Sequence, residues 1–236
     1  MAGGCPLAER AVSGKAKLGI LISGRGSNMA ALLAATAAPD YPADATLVLA
    51  NRADAAGLDY AAAQGVPTAV VASKPFGKDR EAFERALDAR LAEAGVDLVC
   101  LAGFMRLLTP WFVERWRDRL INIHPSILPA FKGLDTHARA LAEGVRWHGC
   151  TVHYVRAEMD AGPIIAQAAV PVLPGDDAEH LAVRVLEAEH RLYPLAVRLV
   201  AEGRAPVIGG RVQLHPSVAP AETTVLNPLE VRPQTA

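Results

Sequence analysis

Asn122 and His124 stand two residues apart at the end of an apolar run, in the segment RLINIHPSILP. Side chains two apart on a strand project from the same face, so this amide and this imidazole point the same way if the strand reaches residue 124. Both can donate a hydrogen bond to an oxygen that becomes negative in a tetrahedral intermediate, and the imidazole can also shuttle a proton. An isolated histidine is more simply a core residue that bonds the backbone, but this pair, followed closely by two prolines, favours catalysis.

A catalytic histidine benefits from a carboxylate that orients its ring and favours its cationic form. The sequence offers several carboxylates, and Asp160 in RAEMDAGPII is the best candidate. It lies between two predicted strands, and the Ala-Gly-Pro sequence that follows would fix its loop sharply. We therefore predict a site formed by Asn122, His124 and Asp160.

Three of the six histidines that follow His124 are further candidates for a site. His137 opens a predicted helix in GLDTHARA and is a candidate pocket residue. His148 and His153 belong to a predicted strand, where a structural role is the simpler interpretation. A zinc site would need closely spaced ligands such as HExxH, which the sequence lacks, so we expect no metal.

The glycine-rich segment ISGRGSN follows one predicted strand and opens a helix. Backbone N–H groups at a helix start bind phosphate, and glycine allows close approach, so Gly26, Ser27 and Asn28 form a predicted phosphate cradle. The alternative is a tight turn that binds nothing. A dinucleotide fingerprint would need glycine where Met29 stands, which favours a single phosphomonoester. Arg52, at the end of the second predicted strand, could nevertheless accept a ribose phosphate, as in an NADP-dependent oxidoreductase.

The elements that position these residues alternate regularly along the first part of the chain. Segments between the apolar runs carry helical spacing or helix-forming composition, which predicts a Rossmann-like α/β fold with an open, mostly parallel twisted sheet and helices on both faces. Ligands bind at the carboxyl ends of such strands, which is where the glycine loop and His124 fall. The five predicted strands cover 17–23, 45–51, 66–72, 96–103 and 119–123.

The pattern changes after residue 145. Apolar runs at 148–155 and 163–172 predict an antiparallel C-terminal hairpin added to the sheet. A long helix follows, with a predicted capping box from Asp176 to Glu179, and a small hairpin is predicted at 206–215. The predicted apolar stripe of the long helix comprises Leu181, Val185, Ala188, Leu192, Leu195 and Leu199.

Composition limits the class of protein. The 236 residues are 51% hydrophobic with a net charge of −1, which suits one large domain and argues against a broad nucleic-acid or membrane-binding surface. Three scattered cysteines and the lack of an apolar stretch of roughly 20 residues favour a reducing, cytoplasmic setting. We predict one domain at 17–214, with disordered extensions at 1–16 and 215–236.

Seven segments of the chain, in their order along the sequence, resemble those of the phosphoribosylglycinamide formyltransferases, which are folate-dependent enzymes of purine synthesis. The match runs from about Lys17 to about Gly203, and the combination is highly specific. That family transfers a formyl group from 10-formyltetrahydrofolate, its co-substrate, to the glycyl amine of a ribonucleotide. The segments are LISGRGSN, LAGFMRLL, INIHPSILP, GLDTH, GCTVHYV, MDAGPIIAQ and EHRLYP.

The resemblance implies a role for each matching residue. Asn122 would hold the formyl oxygen, His124 would stabilise and protonate the intermediate, and Asp160 would orient His124. The cradle at residues 26–28 would bind the ribonucleotide phosphate, and Glu189 would receive the ribose hydroxyls. The implied folate pocket comprises Arg80, Met105, Arg106, Leu107, Leu108, Asn122, Arg156, Ala157, Glu158, Met159 and Asp160.

The resemblance also implies the partners: two small molecules, glycinamide ribonucleotide and a reduced folate, with no nucleic acid, no membrane and a monomer or homodimer. The tRNA-formylating relatives need a C-terminal nucleic-acid domain, and the formyltetrahydrofolate hydrolases carry an extra N-terminal regulatory domain. A chain of this length is expected to be the transferase. Two alternatives stay open, namely the NADP-dependent oxidoreductase and a non-catalytic module in which His124 is structural.

Overall fold

One sheet of seven strands forms the centre of the part of the chain that the computed structural model describes, residues 14–218 and Asn227. The strands are β1 (Ala16–Ile22), β2 (Ala43–Ala50), β3 (Thr68–Val70), β4 (Leu98–Leu101), β5 (Leu120–His124), β6 (Trp147–Tyr154) and β7 (Ile164–Pro171). Their spatial order is β3-β2-β1-β4-β5-β6-β7, with β1 to β5 parallel and β6 and β7 antiparallel to their neighbours. The predicted fold class, including the antiparallel hairpin, is confirmed.

Helices cover both faces of this sheet. They are α1 (Ser27–Thr36), α2 (Gly57–Ala63), α3 (Arg80–Glu93), α4 (Pro110–Arg115), α5 (Thr136–Ala142) and α6 (Ala178–Ala201). The short helix α4 has no strong periodic signal, but it begins with a proline at its first position, where the missing N–H costs nothing. Helices α1, α2, α5 and α6 pack on one face, and α3 and α4 on the other.

Alternating side chains on β1 pack into the cores on the two faces of the sheet. Ile20 and Ile22 are buried with Met29 of α1, whereas Leu21 is buried on the opposite face with Phe83 of α3. Each such side chain contributes about 1.5–3 kcal/mol when fully buried. A strand covered on both faces must be apolar throughout, which is why β1, β2 and β4 read as continuous apolar runs.

Two details of α6 differ from the predictions. Asp177, not Asp176, is the N-cap, and its carboxylate accepts from the backbone N–H of His180 at 2.8 Å. Asp176 instead pairs with Arg184 at 2.8 Å, so its carboxylate is committed to a side chain rather than to the helix start. Leu195, predicted in the apolar stripe, is 50% exposed, because the buried stripe drifts around the helix over its 24 residues.

A small antiparallel hairpin follows α6, as predicted. Strands β8 (Val207–Ile208) and β9 (Arg211–Val212) are joined by Gly209 and Gly210, with φ angles of 59° and 79°. Both central residues of this two-residue turn need positive φ, which glycine adopts without steric cost.

The predicted terminal extensions fall mostly outside the described residues. Positions 1–13, 219–226 and 228–236 are not described, so the disorder predicted for 1–16 and 215–236, and the domain limits at 17–214, stay predictions. Across the described ranges, the helices are all too short or too polar to cross a membrane.

Candidate active site

The predicted catalytic side chains of β5 lie on the face that they share with two residues of β6. In the antiparallel register Asn122 is opposite His153, and His124 is opposite Thr151, so all four side chains project from the same face. Asn122 is also beside Leu101 of the parallel strand β4. The strand order reverses between β1 and β4, so the site lies at the edge of the sheet where such folds bind ligands.

His124 is held at both ring nitrogens. Only 6% of the residue is exposed. Its Nε2 lies 3.0 Å from the carbonyl oxygen of Phe131, and its Nδ1 lies 3.5 Å from Oδ2 of Asp160. Because a carbonyl can only accept, this contact assigns a proton to Nε2. A second proton on Nδ1 would face the carboxylate, which stabilises the positive charge of the imidazolium.

Asp160 is fixed by its own loop. It adopts a left-handed conformation with φ of 50°, and its Oδ2 accepts from the backbone N–H of Gly133 at 2.8 Å. Two residues on, a Cβ at Gly162 would lie 1.6 Å from the carbonyl oxygen of Tyr154, so glycine alone fits there. The tight loop predicted from the Ala-Gly-Pro sequence therefore has a steric basis, and it brings Asp160 to His124.

His153 also belongs to this cluster, although the sequence pattern favoured a structural role for it. Its Nε2 lies 3.8 Å from Oδ1 of Asp160 and 3.4 Å from Nδ2 of Asn122, while its Nδ1 lies 3.0 Å from the carbonyl oxygen of Tyr154. Burial lowers the pKa of His153. The neutral ring therefore donates from Nδ1 and accepts at Nε2, which holds the amide nitrogen of Asn122 in place. Only the register of β6 against β5 reveals this position, and the sequence does not fix that register.

The glycine loop is packed against α2. Gly26 is the N-cap of α1, in a left-handed conformation with φ of 70°, so Ser27 and Asn28 begin the helix instead of capping it. The N–H of Gly57 donates to the carbonyl of Gly24 at 3.1 Å. A Cβ at Gly57 would lie 2.7 Å from Ile22 and 3.2 Å from the carbonyl oxygen of Gly24. The loop is thus held closely between β1 and α2.

Asn28 connects this loop to α6. Its Nδ2 donates to Oε2 of Glu189 at 2.7 Å. Burial raises the pKa of Glu189, which is 6% exposed, and the hydrogen bond from Asn28 opposes that shift. The Oδ1 of Asn28 is buried without a hydrogen-bond partner among the described residues. A buried acceptor in this state costs free energy that a ligand donor would recover.

Comparison with known proteins identifies the family. Residues 16–197, most of the chain, match the sequence profile described as Formyl transferase. The chain belongs to the formyl transferase family. The resemblance seen in the sequence motifs is thereby confirmed.

Individual relatives of this formyl transferase agree with the profile. Phosphoribosylglycinamide formyltransferase of Haemophilus influenzae is 42% identical over 188 residues, which are 80% of this chain and 88% of that protein. The human trifunctional purine biosynthetic protein adenosine-3 is 49% identical over 189 residues, 80% of this chain. The chain spans only 19% of that trifunctional protein. The solved structure of glycinamide ribonucleotide transformylase 1 from Symbiobacterium toebii is 48% identical, with a TM-score of 0.82 over 85% of this chain and 94% of that one.

Several residues predicted for the folate pocket of the formyl transferase lie on the loop after β4. Met105 and Leu107 are 73% and 66% exposed. The loop is held by two hydrogen bonds, from the N–H of Met105 to Oγ of Ser23 and from Nη2 of Arg80 to the carbonyl of Leu107, both 2.8 Å. Leu108 packs into the core beneath α3 and α4. Large apolar side chains left in solvent on a fixed loop are typical of a binding surface.

The other predicted folate residues have mixed surroundings. Arg156 bonds Asp118 and the carbonyl of Val155, so its charge is engaged within the protein. The guanidinium of Arg106 lies over the ring of Phe83 at 5.4 Å. The remaining residues occupy the loop before Asp160: Ala157, which is exposed, Glu158, which pairs with Lys132 at 3.2 Å, and Met159, which is 53% exposed.

His137, the further pocket candidate, packs on His148 with 5.2 Å between ring centroids. Burial lowers the pKa of both, and that of His148 falls to about 4. These rings are therefore neutral near pH 7, which fits the structural role predicted for His148. Across residues 14–218 and Asn227, no three His, Cys, Asp or Glu side chains converge as metal ligands would. Arg52, which an NADP site would need, is paired with Asp54.

The low pKa of His148 gives a prediction about stability. Below its ordinary pKa of 6.5 the unfolded chain binds a proton here and the folded chain does not, down to about pH 4. The free energy of unfolding therefore falls as pH falls through this window, by about 2 kcal/mol at pH 5 from this group alone. We expect His148→Phe to remove that part of the pH dependence in urea unfolding at about pH 7.5 and pH 5.

The matched control for this prediction is His180→Phe, because the His180 side chain is 75% exposed. It should keep the wild-type pH dependence. A wild-type slope in His148→Phe would contradict the prediction.

Proposed function

We propose that this chain transfers a formyl group from 10-formyltetrahydrofolate to the glycyl amine of 5-phosphoribosylglycinamide. The products are the N-formyl ribonucleotide and tetrahydrofolate, as part of de novo purine biosynthesis. The observation that carries the proposal is the cluster at the carboxyl end of β5, where His124 lies 3.5 Å from Asp160 and shares a strand face with Asn122. The names of relatives matched over most of their length support it.

The Asn122–His124 pair would stabilise the reacting oxygen. Formyl transfer forms a carbon–nitrogen bond to the acceptor amine and breaks the one to the donor, and the formyl oxygen carries negative charge in between. The Nδ2 of Asn122, held by His153, supplies a donor, and the imidazolium of His124 supplies positive charge. The departing nitrogen gains a proton and the acceptor amine loses one. His124, beside Asp160, can give its proton to the departing nitrogen and then take up the proton of the amine, so the proton count balances.

The ribonucleotide would bind along α1 and α6. The backbone N–H groups of residues 26–28 lie at the start of α1, where the helix dipole favours a phosphate. Glu189 is an acceptor suited to the ribose hydroxyls, and the free Oδ1 of Asn28 could accept a further donor from the same ligand. The hydrogen bond between Asn28 and Glu189 supports this proposal, because it brings the expected phosphate and ribose contacts together.

The folate would bind on the other side, between two loops. Met105 and Leu107 offer apolar surface on the loop after β4, and Met159 offers it on the loop before Asp160. Backbone N–H and carbonyl groups of 105–108 and 156–160 can recognise a pterin ring without charged side chains. The residues present therefore fit a reduced folate as co-substrate, and the roles of Arg80, Arg106 and Arg156 within that pocket remain predictions.

Location and assembly complete the proposal. Cys100 and Cys150 are buried, and burial raises the pKa of the Cys150 thiol to about 12, so both are inert thiols. We propose a reducing, cytoplasmic setting and a monomer or homodimer, with the two small molecules as partners. Size-exclusion chromatography with light scattering checks the assembly.

An absorbance assay for the folate product tests the function directly. With both glycinamide ribonucleotide and 10-formyltetrahydrofolate present, the wild-type chain should release tetrahydrofolate and formyl ribonucleotide in equal amounts. Omitting the ribonucleotide should abolish the signal, which separates transfer from hydrolysis of the folate. Binding of NADPH, seen as a change in nicotinamide fluorescence, together with no formyl transfer, would favour the oxidoreductase instead.

A further inference from the structure

One short loop contacts both His124 and Asp160. Residues 131–135, here called the bridging loop, connect the segment after β5 to α5. The carbonyl of Phe131 accepts from Nε2 of His124 at 3.0 Å, and the N–H of Gly133 donates to Oδ2 of Asp160 at 2.8 Å. The bridging loop therefore sets the tautomer of one group and the position of the other.

The bridging loop has an unfavourable backbone conformation. Phe131 and Asp135 have φ angles of 54° and 55°, in the left-handed region, and Gly133 has 82°. A left-handed conformation costs a residue with a side chain roughly 1–2 kcal/mol. Asp135 makes no side-chain capping hydrogen bond at the start of α5. Contacts from elsewhere must therefore hold the loop in this shape.

Arg139, one turn into α5, supplies such contacts. Its Nη1 donates to the carbonyl of Lys132 at 2.7 Å and to that of Leu134 at 3.3 Å. Its guanidinium carbon also lies 5.6 Å from the centroid of the Phe131 ring, within the range of a cation–π contact. One side chain thus contacts three of the five residues of the bridging loop.

We propose that Arg139 is a positioning residue for formyl transfer. It holds the bridging loop so that the Phe131 carbonyl keeps the proton on Nε2 of His124 and the Gly133 N–H keeps Asp160 beside Nδ1. Arg139 does not touch the reacting atoms in this arrangement and acts through the loop backbone. The expected effect of Arg139 on kcat rests on the proposed function, whereas its expected effect on the tautomer of His124 does not.

Kinetics of three variants test the first consequence. Arg139→Met keeps an unbranched apolar stem but removes the donors, and we expect kcat to fall roughly tenfold because His124 and Asp160 lose their alignment. KM for the ribonucleotide should stay near wild type, since the phosphate cradle is on α1. Arg139→Lys should recover part of the rate. Arg90→Met makes the same change at an exposed position of α3 and should not alter kcat.

Nitrogen-15 NMR of the histidine rings gives a readout that does not need activity. When the ring of His124 is neutral, the wild-type protein should show its Nε2–H tautomer. The His124 signals are assigned as those that disappear in His124→Ala. Arg139→Met should show a mixture of tautomers while its thermal unfolding stays close to wild type, because Arg139 is exposed. Wild-type kcat in Arg139→Met, or a lowered kcat with an unchanged tautomer, overturns the proposal. A wild-type chain without formyl transfer would overturn the proposed function, yet the tautomer measurement would still test Arg139.

Discussion

His124→Ala is expected to lower kcat about a thousandfold while ribonucleotide binding stays near wild type. The imidazole is buried beside Asp160, and in the proposed reaction it stabilises the formyl oxygen as the imidazolium and takes up a proton as the neutral ring. The phosphate cradle and Glu189 belong to α1 and α6, so the variant keeps them. Turnover at saturating concentrations of both substrates measures the first effect, and calorimetric titration with the ribonucleotide measures the second.

His180→Ala is the matched control for that experiment. It removes an imidazole that is exposed on α6 and pairs with the helix cap Asp177. Its kcat should equal that of wild type. Unchanged turnover in His124→Ala would remove the catalytic assignment and leave the binding module as the better description.

Asp160→Asn is expected to lower kcat about a hundredfold. The amide oxygen can still accept from the N–H of Gly133, so the loop should keep its shape. The negative charge beside Nδ1 of His124 is lost, however, and the imidazolium then lacks its counter-charge. Turnover at saturating concentrations of both substrates tests this directly.

Asp40→Asn is the control for the loss of a carboxylate, because Asp40 is exposed and forms a surface ion pair with Arg198 at 3.1 Å. The wild-type kcat should persist in it. If Asp160→Asn also kept the wild-type kcat, the carboxylate would have no part in the reaction.

Much of the architecture could be predicted because local patterns and the fold agree. Buried parallel strands must be apolar on both faces, so they are recognisable in the sequence as continuous apolar runs. Helix ends are recognisable as well, because Gly95 and Gly203 follow helices and adopt positive φ angles. The two wrong predictions for α6 concern features for which the sequence pattern is compatible with more than one arrangement. Either Asp176 or Asp177 could cap α6, and only the pairing of Asp176 with Arg184 decides between them. The exposure of Leu195 likewise depends on how α6 lies on the sheet.

The residues of the candidate site also differ in whether the sequence could predict them. Asn122 and His124 could be found from their spacing, because strand geometry alone makes them neighbours. His153 could not, because its closeness to Asn122 depends on the register of β6 against β5, which residue types do not fix. The contribution of Arg139 was equally hidden, since it acts on backbone carbonyls and an exposed arginine on a helix is ordinarily a solvated charge.

The sequence by itself determined the α/β class, the glycine loop, the Asn122–His124 pair and the family, because each depends on contacts between near neighbours or on a specific set of motifs. The sequence offered Asp160 as the best of several carboxylates, but only the tertiary structure decided that it meets His124. Asp160 is 36 positions away along the chain, and its Oδ2 comes to 3.5 Å only because β6 reverses direction and Gly162 lets the loop close against Tyr154. Contacts of that range depend on strand order and loop sterics, which the whole fold sets.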